Sequence, residues 1–427
     1  MNARLIVLAA GVAAMAAAPW VLSPGLVNAA ISMLIAALFA CAYNLLCGYA
    51  GMLSFGHSAY FGVGAFATIH AMNALGGAGL LPTPLMPLVG AVGGLLFGFA
   101  AGWFATQRTG AYFAMITLAI AELLHAIAPQ LRDTFGGEAG ISSMRMPAWG
   151  FTFGSTVQVY YLTLVWVLGS LALLYLFTRT PLGRLALGLR ENGQRLRFLG
   201  YDVHHIGVLI FALSGMFSGI AGGLQALSNE SANYVVFDTS LSAAVVLNTY
   251  IGGVQAFLGP ALGAALVTFF GYAVSDLTQS WLLYQGALFV LVIMFMPTGL
   301  AGLLDLARAA IRRYGLRAVT PCGVLYSAAG LSYAAAVVFL TELLRRLFSQ
   351  DYQSLAGAVG FWRWPAVPLF GREWPPASLL TWLVPALLIV LGWLCWRTAS
   401  AAARRLALES PEELIPAAGA LPQRGPL

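Results

Sequence analysis

The sequence predicts an all-α, polytopic integral membrane helix bundle, with about ten core transmembrane helices, some broken and glycine-rich, and about two further spans near the C-terminus. Three observations predict it. Of the 427 residues, 60% are hydrophobic. Only 8% are charged, against roughly 25% in a soluble domain, and the mean hydropathy is +0.84. Apolar windows also recur at a length that spans a hydrocarbon layer at about 1.5 Å per residue.

The first window, 5–22, follows a single arginine and contains A-x-A triplets, as a secretory signal would. Its length favours a retained span. Further windows lie at 27–47, 52–74, 84–106, 110–129, 158–178, 204–227, 239–258, 259–276 and 280–299. With Arg4 in the cytoplasm, these crossings leave Arg108, the 179–203 loop and the arginines of 308–317 inside, as the positive-inside rule requires. The 130–158 connection falls outside with Arg132, Asp133, Glu138 and Arg145 in near charge balance, a surface suited to a lid or to docking. Residues 1–320 read as one transmembrane domain. Residues 321–427 read as an extension with spans at 321–343 and 378–396, joined by a Trp/Pro-rich connector and followed by a polar tail from Arg397. Trp362, Trp364 and Trp374 in that connector suit a membrane-interface belt.

Composition excludes several functions. All 21 basic residues are arginine, so no G-x-x-x-x-G-K-[ST] phosphate loop exists and any ATP chemistry belongs to another chain. The arginines flank apolar segments as topology signals, not as a nucleic-acid patch. Cys41, Cys47, Cys322 and Cys395 stand alone in apolar runs, without metal or disulfide spacing. His57, His70 and His125 share no ligand spacing, and the adjacent His204 and His205 open a helix. With 15 acidic residues in the whole chain, clustered acid–base machinery for a membrane enzyme is not in view. We expect no catalytic, cofactor-binding or metal residues.

Two stretches carry functional signal. In "NLLCGYAGMLSFGHSAYFGVGAF", residues 44–66, glycines interrupt what should be a spanning helix. Irregular backbone is tolerated in lipid only where protein or a water-filled cavity satisfies it, so this stretch should face the bundle interior. Gly51, Ser54, Gly56, His57 and Ser58 are the candidate path residues, with close helix packing as the competing explanation. A second broken stretch, "NTYIGGVQAFLGPALGAAL", and the glycines of 90–102 favour packing. The loop "TRTPLGRLALGLRENGQRLRFLGYDVHH" places Thr180 as N-cap, Pro181 at the first helical position and Gly200 as C-cap, with a break at Glu191-Asn192-Gly193. A short amphipathic helix or helix pair results. It could lie along headgroups, but the break and the stop fit a knob presented to a protein groove.

These stretches resemble the permease subunits of ABC importers for branched-chain amino acids, the LivM and LivH type, within the type II importer permease family. "GYAGMLSFGHSAYFGVGAFA", "RTGAYFAMITLAIAELLHAI", "RTPLGRLALGLRENGQRLRFLGYDV" and "LVIMFMPTGLAGLL" match in the family's order over about residues 1–310. The resemblance implies an inner-membrane subunit of a bacterium, without catalysis, that forms the pathway with a second permease subunit. It also implies a periplasmic substrate-binding protein and two cytoplasmic ATPase subunits that consume the ATP. The third stretch then corresponds to the ATPase-coupling loop, with Arg184, Leu189, Arg190, Glu191, Arg195 and Gly200 as its candidate residues, and Arg197 beside them. Here the sequence departs from the family, which commonly has small residues after the glutamate. The 321–427 segment is also outside the usual pattern.

Intramembrane polar groups each need an explanation. Glu122 and His125 are three residues apart on one helix face, close enough to interact at an interface or along a water-filled path; Glu122 joins the candidate path. Asp276 reads as an interfacial anchor, and Glu230 and Asp238 as solvated surface. No ionised group in the proposed path would pair with a strongly charged ligand, which fits a small zwitterion or neutral solute. Urea, short amides or other small carboxylates remain alternatives, as does an ion-coupled secondary transporter.

Overall fold

The computed structural model describes residues 3–275, 278–296, 298–359 and 364–408. The described residues are mostly helical. The helices are α1 (Ala3–Val21), α2 (Pro24–Asn44), α3 (Ser58–Ala71), α4 (Pro87–Ala105), α5 (Ala111–Ile127), α6 (Arg132–Phe135), α7 (Thr156–Arg179), α8 (Pro181–Phe198), α9 (Val203–Asn229), α10 (Thr239–Gly252), α11 (Gly259–Ser275), α12 (Trp281–Phe295), α13 (Gly299–Tyr314), α14 (Leu316–Leu347), α15 (Gln350–Val359) and α16 (Leu379–Leu408). Two antiparallel strand pairs complete the fold: β1 (Ile141–Ser142) with β2 (Ser231–Ala232), distant in sequence, and the hairpin β3 (Val367–Leu369) with β4 (Arg372–Trp374). Among the described residues six helices are long and apolar enough to cross a membrane, or seven if α12 and α13 form one bent span. The other apolar windows are helical but shorter. Asp276 and Trp362 lie outside the described residues.

Two compact units divide the chain, Met1–Leu304 and Asp305–Leu427. In the first, α9 is the most enclosed spanning helix, and glycine explains why. A Cβ at Gly94 would stand 2.2 Å from the Gly215 carbonyl oxygen, one at Gly219 2.2 Å from that of Gly90, and one at Gly64 2.3 Å from the Gly219 Cα. Helices α3, α4 and α9 therefore meet backbone to backbone, the small-residue packing that replaces hydrophobic driving force in lipid. Gly252 and Gly263 do the same between α10 and α11, where a Cβ would come within 2.0 Å of Gly259 O and 2.2 Å of Asn248 O. Helix α1 is tied to α7 by the Tyr160 and Tyr161 hydroxyls, which donate to Met15 O and Ala16 O at 2.7 and 2.9 Å.

In the second unit α14 and α16 pack along each other, with Gly392 against the Tyr333 ring. Phe339, Leu343, Tyr352, Val367 and Leu369 make its small core. Trp374 turns its ring edge onto Phe339 and donates to Leu369 O at 3.1 Å. That tryptophan is thus committed to the hairpin core, whereas Trp364 is exposed.

The 52–74 window is the main correction to the sequence reading. Helix α2 runs on as a π-turn, Leu45–Tyr49, and residues 51–56 are then irregular before α3 begins at Ser58. Gly51, at φ +71°, makes the turn. The expected helix is therefore an irregular stretch followed by a helix.

Candidate functional site

An irregular segment inside a bundle has no helix or ladder to satisfy its backbone, so neighbouring side chains must do it. The Phe55 amide donates to Thr117 Oγ1 of α5 at 3.2 Å. The Ser58 amide donates to Ser242 Oγ of α10 at 2.9 Å, the Ser242 hydroxyl donates to Ser58 Oγ at 2.9 Å, and the Ser58 hydroxyl donates on to Phe237 O at 3.0 Å. Gly56 lies so close to α5 that a Cβ would fall 1.8 Å from Thr117 O. The segment is fixed by α5, α9 and α10 together.

His57 is fully buried. Its Nε2 meets Ser214 Oγ of α9 at 2.9 Å, and the Ser214 hydroxyl donates to Ala42 O of α2 at 2.7 Å. A hydroxyl has one proton, so Ser214 must accept from the imidazole, which fixes the neutral tautomer with hydrogen on Nε2. Nδ1 faces Ser54 Oγ at 3.5 Å. The rings of Tyr43 and Tyr60 stand edge-on at 5.1 and 5.2 Å, with Phe211 behind. In this conformation His57 is a pin joining α2, the irregular segment and α9, enclosed by protein rather than open to a solute. Ser54, Gly56 and Ser58 are likewise buried, whereas Gly51 is exposed.

The 179–203 loop folds as two short helices fused at a kink. Thr180 Oγ1 accepts from the Gly183 amide at 3.2 Å, and Pro181 supplies the pre-set first φ. At Asn192 the backbone leaves helical geometry (φ −161°, ψ 94°), and Asn192 Oδ1 accepts from the Arg195 amide at 3.0 Å, capping a second start. Gly200, at φ +86°, closes it, with the Tyr201 amide donating to Leu196 O at 3.0 Å. The first half buries Gly183 and Ala186 and packs Leu185 and Leu189 against the main core. The second presents Phe198, 91% exposed, and Leu199, 67% exposed. Arg184, Glu191, Arg195 and Arg197 are exposed.

One contact joins the two candidate stretches. Arg190 Nη1 donates to Gly48 O at 2.6 Å, and its side-chain stem lies against Gly51.

A family described as "Branched-chain amino acid transport system / permease component" matches residues 25–297. The chain belongs to this family of transport permeases. The resemblance read from the residues thus holds, and the match covers most of the first compact unit. The family's high-affinity branched-chain amino acid transport system permease protein LivM of Escherichia coli K12 is 27% identical over 307 residues, 66% of this chain and 71% of its own length. The LivH permease of Salmonella typhimurium is 23% identical over 286 residues, covering 62% and 91%. A ribose import permease protein, RbsC of Haemophilus influenzae, is 26% identical over 219 residues, covering 49% and 66%. No solved structure matches the chain.

Other residues of the permease fall differently from their sequence reading. Glu122 is exposed on α5 and accepts from the Thr239 hydroxyl, while the His125 ring sits 5.5 Å from that of Tyr234. Among the described residues no hydrogen bond or ion pair joins Glu122 to His125: the first residue of α10 takes Glu122, and Tyr234 in the turn before it faces the His125 ring. Glu230 is half-solvated but paired, with Arg145 Nε at 3.1 Å from its carboxylate. Arg145 also donates to Leu227 O and Ser228 O at 3.4 and 3.3 Å, placing a cation at the C-terminus of α9 and fastening the 130–155 connection there. At the other end of α9, Asp202 Oδ1 accepts from the amides of His204 and His205 at 2.9 and 3.1 Å, and Oδ2 meets His205 Nδ1 at 2.6 Å. These bonds, the His205 amide foremost and then its ring, hold the Asp202 carboxyl below its ordinary range. Sequence reasoning missed Thr117, Ser214 and Ser242. The available signal was a lone hydroxyl in an apolar run, which in lipid needs a partner.

Proposed function

We propose that this chain is a pore-forming permease subunit of an ATP-driven importer for branched-chain or closely related small amino acids, seated in a bacterial inner membrane. It pairs with a second permease subunit; two separate ATPases engage α8 from the cytoplasm, and a periplasmic binding protein delivers the solute from outside. The observation that carries this reading is the capped two-part helix α8, which presents exposed Phe198 and Leu199 and is bonded to the broken span. Membership of the permease family and the names of the LivM and LivH relatives support the solute class.

Reconstitution tests it. The chain, with a partner permease and ATPase, is placed in proteoliposomes that enclose ATP, and the binding protein with labelled leucine, isoleucine or valine is supplied outside. Uptake should require ATP and the binding protein. Uptake that follows an imposed ion gradient without ATP refutes the importer, and a cognate binding protein that takes only ribose or another sugar refutes the solute.

A further inference from the structure

The end of α2 leaves unsatisfied carbonyls, as every helix end does. Here the last turn is widened to a π-turn, Leu45–Tyr49, and the next amide that returns, that of Met52, goes to Leu46 O at 3.0 Å. The Gly48 carbonyl takes its bond from the Arg190 guanidinium instead, at 2.6 Å across 142 residues. A cation here also faces the negative end of the helix dipole. The contact includes the stem as well as the head: a Cβ added at Gly51 would lie 2.9 Å from Arg190 Cγ and 3.2 Å from its Cβ. Arg190 therefore grips both the last turn of α2 and the residue at which the chain turns into the irregular segment. It does so, itself exposed, from the last turn of the first half of α8, just before the Asn192 kink that leads to the second half.

We propose that Arg190 is a positioning residue that transmits displacement of α8 to the end of α2 and the irregular segment, rather than a residue that contacts the ATPase. The role rests on the importer reading of α8. A push on the second half of α8 reaches the permease interior through whatever its first half holds rigidly. Leu185 and Leu189 hold by packing, which can slide. A charged hydrogen bond to a backbone carbonyl, with a glycine folded onto its stem, resists sliding in both directions.

The test uses the complete reconstituted importer and counts solute molecules imported per ATP hydrolysed. Loss of a charge-assisted bond corresponds to about a tenfold effect, so Arg190→Ala should lower that ratio about tenfold while the ATPase still co-purifies. Arg190→Lys, which keeps the cation and most of the stem, should recover at least part of it. A purely structural role predicts something else: less folded complex, an unchanged ratio in what remains, and no recovery with lysine; that result overturns the proposal. Loss of ATPase co-purification with Arg190→Ala overturns it too, because the side chain would then serve the partner. A wild-type complex that neither binds an ATPase nor imports with ATP removes the importer reading, and the transmission role with it.

Discussion

Substitution of Gly219 by alanine tests how the bundle is held. An alanine Cβ at this position would sit 2.2 Å from Gly90 O and 3.0 Å from Gly94 Cα, both backbone atoms of α4. Ordinary contact begins near 3.4 Å, so the two backbones must separate by about an ångström, the shift that overpacked cores resist. Neither helix can slide to absorb it. Gly94 is itself 2.2 Å from Gly215 O by the same measure, and Gly64 of α3 presses on Gly219 from the other side at 2.3 Å. Overpacking of this kind costs about 1–3 kcal/mol, and with both neighbours closed the upper end applies. At about 2–4 °C per kcal/mol the melting temperature should fall by about 5–10 °C.

The assay is thermal unfolding of the purified chain in detergent, followed by intrinsic tryptophan fluorescence. Gly286→Ala on α12 is the control, since nothing lies within 4 Å of its added methyl. It should match or slightly exceed wild type, because alanine costs about 0.5–1 kcal/mol less than glycine within a helix. If Gly219→Ala melts within about a degree of Gly286→Ala, the backbone contact between α4 and α9 is not the constraint described.

Other predictions follow from the same geometry. His57→Ala should lower the melting temperature, because it opens a void among Tyr43, Tyr60 and Phe211 at about 3 kcal/mol or more; an unchanged melt with altered solute selectivity would place His57 on the path instead. Asn192→Ala removes the cap on the Arg195 amide at about 1 kcal/mol, and should speed amide exchange over residues 193–198 while leaving 181–190 protected; equal exchange in both halves would mean that α8 is one continuous helix. Because the Asp202 carboxyl is held below its ordinary value of 3.8 in the folded state, the stabilisation is full above that value and lost as pH falls through the lower, folded one. The melting difference between wild type and Asp202→Ala should shrink as pH falls through the acid range below the carboxyl's ordinary value; a difference that persists undiminished in strong acid would refute a role for the ionised carboxylate.

Local signals were legible where local chemistry decides. Thr180, Pro181 and Gly200 bound α8 as their residue types require, and Asn192 breaks it because its short amide can cap a new start more readily than continue the old helix. The irregular stretch after Gly51 was signalled by glycine but not specified. An averaged hydropathy window cannot separate helix from irregular chain when both are apolar. The partners that make the irregular form affordable, Thr117, Ser214 and Ser242, come from 62, 157 and 184 residues away. Glu122 and His125 illustrate the converse, since i,i+3 spacing allows a contact but Thr239 at the start of α10 and Tyr234 before it offer each a competing one.

The same bonds that make the break tolerable also decide how it can move. At one end the chain is held by Arg190 on Gly48 O, and at the other by Ser214 on His57 and Ser242 on Ser58. Between these ends Met52 and Leu53 are only half-buried and Phe55 is 37% exposed. A segment pinned at both ends changes shape only when its pins move relative to each other. Its pins belong to α8 on one side and to α5, α9 and α10 on the other. A displacement of α8 that left α5, α9 and α10 in place would therefore be taken up in residues 51–53, ahead of the Phe55 amide that Thr117 holds. A continuous helix over the same residues would transmit such a push along its axis as a rigid rod; the broken span converts it into local rearrangement where the glycines are.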